Sequence, residues 1–267
     1  MNQTDFDITL SFDPAIADRE IEWLPGRIAA DDPHLPNACS SEWSVVPTDV
    51  RDLLVASQPA PFDSGLHVFR LAEQSRAELD VFMAWQRTQR RYDLDAFRAQ
   101  LDSSALIRHN FTTLPEAQHF LGLARMSGGR NTTTRDKENR IVGLHLDTFD
   151  KAPMERRCEA RNRIAINVGT DGRYLLFVPC TAWRLVEIAR REGYDWSETA
   201  LLDHRVFVRS FFHDVRPPVF RVRIEPGEGY LAPTENMLHD GSTFSSSAED
   251  LTLVWLGYFR RLSTTGR

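Results

Sequence analysis

The chain has 267 residues, 42% hydrophobic and 10% aromatic, with six tryptophans, a net charge of −6 and a pI near 5.8. This content predicts one large domain, or a core with an appended subdomain, rather than disorder. The acidic balance argues against nucleic acid, whose binders carry a basic face, and no apolar run reaches the roughly 18 residues needed to span a membrane.

Cys39, Cys158 and Cys180 are odd in number and widely spaced, which indicates neither a disulfide framework nor a zinc ribbon. Reduced thiols in a cytoplasmic protein are the expectation. The acidic start MNQTDFD has no basic n-region and predicts no signal peptide.

Residues 1–40 are rich in Pro and Asp and read as an irregular lead-in. A short helix is expected over 49–57, then a turn cluster at 59–65. Residues 66–71 suit a strand or a helix start. Over 72–103, Leu79, Val81, Phe82, Trp85, Leu94, Phe97 and Leu101 recur at helical steps. A second helix is predicted over 114–126, with Pro115 early and Gly128-Gly129 beyond its end. Residues 1–105 therefore read as a helical and irregular part, and 106–267 as a strand-rich core.

From about residue 130 the period changes. Residues 141–146 look strand-like. Residues 163–168 alternate, Gly169-Thr-Asp-Gly172 is a turn signal, and 173–178 alternate again, which predicts a β-hairpin. A helix over 182–192 follows. Further strands are expected over 206–212, 219–224, 229–232 and 251–259. Short strands separated by turns suggest a β-sandwich or barrel.

The sole His-x-Asp, His145-Leu-Asp147, closes the 141–146 run. Such a pattern arises about 0.6 times by chance in this composition, so its context matters. Side chains two apart on a strand share a face, and with the downstream His239 the pair would make a two-histidine, one-carboxylate set. That facial set leaves positions on iron(II) open. The bland alternatives are a core histidine at 145 and a His239-Asp-Gly turn. His204 and His213 fall in polar connections, and His34, His67 and His119 lie in the N-terminal half.

The order of these features resembles the double-stranded β-helix (jelly-roll) core of the iron(II)/2-oxoglutarate-dependent oxygenases. It comprises His145-Leu-Asp147, the hairpin expected over 163–178, the Glu225-Pro-Gly-Glu-Gly229 turn, His239, and the apolar run 251–259. The resemblance implies an α+β fold, a jelly-roll core with flanking N-terminal helices. It implies iron(II) held by His145, Asp147 and His239, with 2-oxoglutarate as co-substrate and dioxygen and a small molecule as partners. Segment 232–241 looks like members that tailor amino acids or natural products. Halogenating relatives replace the carboxylate ligand with a small residue, so Asp147 implies hydroxylation, desaturation or cyclisation.

One departure concerns the co-substrate. Many relatives hold its far carboxylate with an Arg about ten residues after the distal His, where this chain has Ser245-Ser-Ser-Ala-Glu-Asp250 and no Arg until Arg260. Arg163 is the leading substitute, since it shares a strand face with Ala165 and Asn167 and its planar fork suits a carboxylate. Asn167 joins it as a candidate contact. Arg173 is next and Arg209 third, and each would serve equally as a structural ion pair. The Gly-rich segment 125–134 is either a lid over the site or a plain loop. Two further readings stay open, an iron oxygenase that does not use 2-oxoglutarate and a non-catalytic jelly-roll binding protein.

Overall fold

The computed structural model describes residues 5–25, 42–57, 61–88, 103–112, 114, 117–194, 215 and 217–262. Two sheets face each other. The strands are β1 (Thr9–Phe12), β2 (Ile21–Leu24), β3 (Ser44–Val45), β4 (Gly65–Arg70), β5 (Phe111–Thr112), β6 (His119–Met126) and β7 (Asn162–Asn167). They continue with β8 (Arg173–Thr181), β9 (Val219–Ile224), β10 (Glu228–Ala232), β11 (Met237–Ser242), β12 (Asp250–Gly257) and β13 (Arg260–Arg261). The first sheet has the order β1-β4-β10-β7-β12-β6 and the second β11-β8-β9-β2-β3. Residues 143–147 lie along the outer edge of β11, where His145 and His239 exchange backbone hydrogen bonds.

From β6 onward the chain crosses repeatedly between the sheets, which is the jelly-roll winding of a double-stranded β-helix. The Glu225-Pro-Gly-Glu228 turn makes one crossing. Pro226 presets φ at the second position, Gly227 supplies φ 77° at the third, and Glu228 N donates to Glu225 O at 2.9 Å. The core between the sheets contains Leu66, Val68 and Tyr230 from one sheet and Leu175, Phe177 and Val222 from the other. Each such fully buried side chain contributes roughly 1.5–3 kcal/mol. The outer face of the first sheet is covered by the helices Glu73–Thr88 and Ser103–Arg108, against Ile164, Trp255 and Phe259. The outer face of the second is covered by the helix Ala182–Arg191, which buries Leu185, Val186, Ile188 and Ala189. Thr181 caps that helix by accepting from Arg184 N.

Three sequence expectations are corrected. Where the sequence predicts a helix over 114–126, residues His119–Met126 form strand β6, hydrogen-bonded to β12. A bulge beside Gly122, whose φ is 113°, skips one residue and turns Phe120 and Leu123 to the same face. That three-residue spacing imitates a helix. Second, β7 and β8 are both present but do not pair as a hairpin. β7 bonds to β10 and β12, while β8 bonds to β9 and β11, so residues 168–172 form an arch from one sheet to the other. Third, 141–146 forms isolated bridges rather than a continuous strand.

The short helix is Thr48–Leu54, and residues 65–70 are strand β4. The N-terminal part also supplies strands to both sheets, since β1 and β4 extend the first and β2 and β3 extend the second. The 89–102 half of the predicted long helix, the strand predicted over 206–212, and Cys39, Arg209, His34, His204 and His213 lie outside the described residues. Cys158 is exposed and Cys180 buried, both as free thiols. Among the described residues no helix is long and apolar enough to cross a membrane.

Candidate metal centre

His145 and His239 are held by the same device. A carbonyl can only accept, so the ring Nδ1 of His145 must donate to Gly143 O at 2.9 Å and that of His239 to Met237 O at 3.1 Å. Both Nε2 atoms are left as lone-pair donors. The backbones meet through His145 N to His239 O at 3.1 Å and His239 N to His145 O at 3.0 Å, and the ring centroids lie 4.6 Å apart. Asp147 N donates to Thr234 O at 3.0 Å, which fixes the carboxylate against the same pair.

The three ligand atoms all lie within 4.8 Å of one another. Asp147 Oδ1 is 3.5 Å from His145 Nε2, and Oδ2 is 3.7 Å from His239 Nε2. His239 Nε2 is buried with no hydrogen-bond partner, and Asp147 Oδ2 has an ion-pair neighbour but no hydrogen bond. Burial pushes the His239 imidazole down to about 3, against the pull of Asp147, so it is neutral at physiological pH. Burial alone would raise Asp147, but the charge of Arg163 and the two histidines hold it well below the usual carboxylate range. For His145 burial lowers the pKa, and the neighbouring Asp147 outweighs that and raises it. Two imidazole nitrogens and one ionised carboxylate, converging within 4.8 Å and with His239 Nε2 unpartnered, fit a divalent metal with open positions, iron(II) among them.

The candidate co-substrate residues separate. Arg163 lies on the barrel-lining face at the start of β7, with Nη2 2.8 Å from Asp147 Oδ2 and its guanidinium 5.6 Å from the Phe149 ring centroid. Arg173 lines the barrel from β8. Its Nη1 is 2.9 Å from Asp250 Oδ2 and touches Thr252 Oγ1, and its Nε is buried without a hydrogen bond. The Arg173 guanidinium occupies the space where a Cβ on Gly241 would sit. Gly241 is two residues beyond His239 on β11, so Arg173 points into the same side of the barrel as the metal ligands. Asn167 is occupied structurally. Its Nδ2 donates to Asp171 O and Ile224 O, both at 2.9 Å, and its Oδ1 accepts from Gly169 N at 2.9 Å.

Segment 125–134 is tied down rather than free. Gly129 N donates to Thr243 O, Thr133 N to Gly241 O, and Thr243 N to Arg130 O. Asp240, buried beside His239, accepts from Thr134 Oγ1 at 2.7 Å and contacts Thr132 Oγ1. Asp240 thus belongs to a strand and not to a turn. Sequence gave no separate signal for it, because Asp-Gly after a histidine is the signature of a turn. Nor did it mark Arg157, Thr252 or Gly241. His67 and His119 are on β4 and β6, away from the triad, with His67 bonded to Ser11.

No family model matches the chain, and no curated protein matches it. Among solved structures it is similar to the Kdo hydroxylase KdoO, described as a non-heme Fe(II) alphaketoglutarate dependent dioxygenase, in complex with cobalt(II). That match has a TM-score of 0.41 and 11% identity, covering 73% of this chain and 80% of that one. The same enzyme in complex with succinate and Fe(III) gives a TM-score of 0.37 and 12% identity over 76% of this chain and 80% of that one.

Proposed function

We propose that the protein is a non-haem iron(II), 2-oxoglutarate-dependent oxygenase that hydroxylates, desaturates or cyclises a small amino-acid-like or natural-product substrate. The observation that carries this is the convergence of His145 Nε2, Asp147 and His239 Nε2 inside a jelly-roll, with His239 Nε2 buried and unpartnered. Iron(II) with 2-oxoglutarate, when bound, supplies dioxygen activation coupled to decarboxylation of the keto acid to succinate. The chain's own residues do the positioning. His145 and His239 present fixed tautomers, and Asp147 supplies the negative charge.

Arg173, rather than Arg163, is the better anchor for the far carboxylate of 2-oxoglutarate. It lies inside the barrel with its guanidinium against Gly241, on the strand that carries His239. Its planar fork would bind a carboxylate in two places. Arg163 is engaged with Asp147, and the cationic and aromatic pair it forms with Phe149 suits a carboxylate-bearing substrate.

A second reading, an iron oxygenase that does not use 2-oxoglutarate, is favoured by one observation. Arg173 already has a carboxylate partner in Asp250. Anaerobic iron(II) titration followed by a succinate assay in air separates the readings. Iron binding with iron-dependent succinate release supports the first. Iron binding with no succinate at any 2-oxoglutarate concentration leaves the second, and no iron binding sinks both.

A further inference from the structure

Arg157 lies in the short 3-10 helix Met154–Glu159 and is 4% exposed. Its Nη1 donates to two backbone carbonyls, Asp147 O at 2.8 Å and Glu235 O at 2.7 Å. The first carbonyl belongs to a metal-ligand candidate. The second lies in the bend 233–236 that leads into β11 and His239. One guanidinium thus joins the two chain segments that bring Asp147 and His239 together, reaching across 78 residues of sequence to Glu235.

Taking a charge this far from water is costly unless it is paired and hydrogen-bonded. Its ionic neighbours are Glu235, itself 1% exposed, and the Asp147 carboxylate. Glu235 Oε1 accepts from Asp150 N at 2.6 Å, and Oε2 has no hydrogen bond. The buried arginine gives these two main-chain carbonyls a donor that a packed aliphatic chain could not supply. It also adds a fixed spacing, because the donor geometry of the guanidinium is rigid.

We propose that Arg157 is a positioning residue that sets the separation of Asp147 from His239, now 3.7 Å between Oδ2 and Nε2, and so sets the affinity and symmetry of the metal site. This rests on the triad being a metal site. Outer partners of metal ligands typically change metal affinity by about 10- to 100-fold when removed.

The test uses cobalt(II) as the probe, followed by its visible absorption at a temperature well below melting, on the full chain. Wild type is compared with Arg157→Lys, Arg157→Gln and Arg156→Gln. Arg156 sits on the same short helix but is exposed and paired with Glu159, so its variant reports general damage to that helix. Arg157→Gln is expected to bind cobalt(II) about 10- to 100-fold more weakly with a shifted spectrum, and Arg157→Lys to fall between it and wild type. Arg156→Gln should match wild type. If Arg157→Gln does not fold, Arg157→Lys carries the test. A folded Arg157 variant with wild-type affinity and spectrum overturns the positioning role. Absence of cobalt(II) binding by wild type overturns the metal reading itself, a distinguishable failure.

Discussion

Arg163 and Asp147 form an ion pair of 2.8 Å between the two sheets, one from β7 and the other from the segment alongside β11. The arginine therefore does, without metal, what a cation would do for the carboxylate. Breaking one side of a buried pair is costly, about 3 kcal/mol for Arg163→Gln in metal-free protein. Saturating divalent metal should return much of that loss, since it replaces the missing positive charge. Thermal melts with and without cobalt(II) check this. An equal loss in both conditions would show that Arg163 stabilises something other than Asp147.

Arg173 and Gly241 should separate co-substrate from metal. Arg173→Gln removes a charge-assisted interaction worth about 1.5–3 kcal/mol, or roughly 10- to 100-fold in affinity for 2-oxoglutarate. Gly241→Ala places a methyl where the Arg173 guanidinium lies, and should weaken 2-oxoglutarate in the same way while iron(II) affinity stays near wild type. Calorimetry with each ligand reads both. If Arg163→Gln weakens 2-oxoglutarate and Arg173→Gln does not, the order of the two arginines is reversed.

Asn167 should matter for stability alone. It satisfies three backbone groups around the arch between β7 and β8. Its replacement by alanine leaves those groups unpaired and should cost about 2 kcal/mol, read from a denaturant midpoint. The 2-oxoglutarate KM should not move. A raised KM at wild-type stability would return Asn167 to the binding site.

His67 gives a pH signature. It is 4% exposed, with Ser11 Oγ 2.9 Å from Nδ1, Asp13 Oδ1 3.3 Å from Nε2, and Arg261 against the same Asp13. Burial lowers its pKa from 6.5 despite the pull of Asp13. The unfolded chain then takes up this proton more readily than the folded one. The stabilisation is full above 6.5 and is lost as pH falls from there towards the lower folded value. Asp13 is shifted down by His67, Arg70 N and Arg261 against the effect of burial, so its own contribution fades only below 3.8. Urea midpoints between about pH 7.5 and pH 5 should fall, with a slope from one proton of at most ~1.4 kcal/mol per pH unit. His67→Gln should flatten that part of the curve. A variant curve parallel to wild type would place the titration elsewhere.

The strands legible in sequence were those whose alternation is preserved by the fold, β7 to β10 and β12 among the described residues, while β11 read as a turn at His239-Asp-Gly. Pairing was not legible. Gly169-Thr-Asp-Gly172 carries the residues of a tight turn, but Asn167 bonds across to Ile224 O and the chain leaves its sheet. Composition of a turn does not reveal whether the next strand stays or crosses. β6 was misread because one bulge substitutes a three-residue step for a two-residue one. The triad was legible because two of its members lie two apart, while the third needed the order of the strands. Arg157 was not, since among Arg156, Arg157 and Arg161 only the fold decides which is buried.

The arch at 168–172 has a mechanical consequence. It puts Arg163 on one sheet and Arg173 on the other, and their acid partners, Asp147 and Asp250, on the opposite sheets in turn. The barrel is thus laced by two electrostatic stitches of opposite sense. A metal would claim the acid of one and a dicarboxylate the base of the other. Filling the barrel would then unpick both stitches and resew the sheets through the ligands, so occupancy should be felt as stiffness along the whole seam.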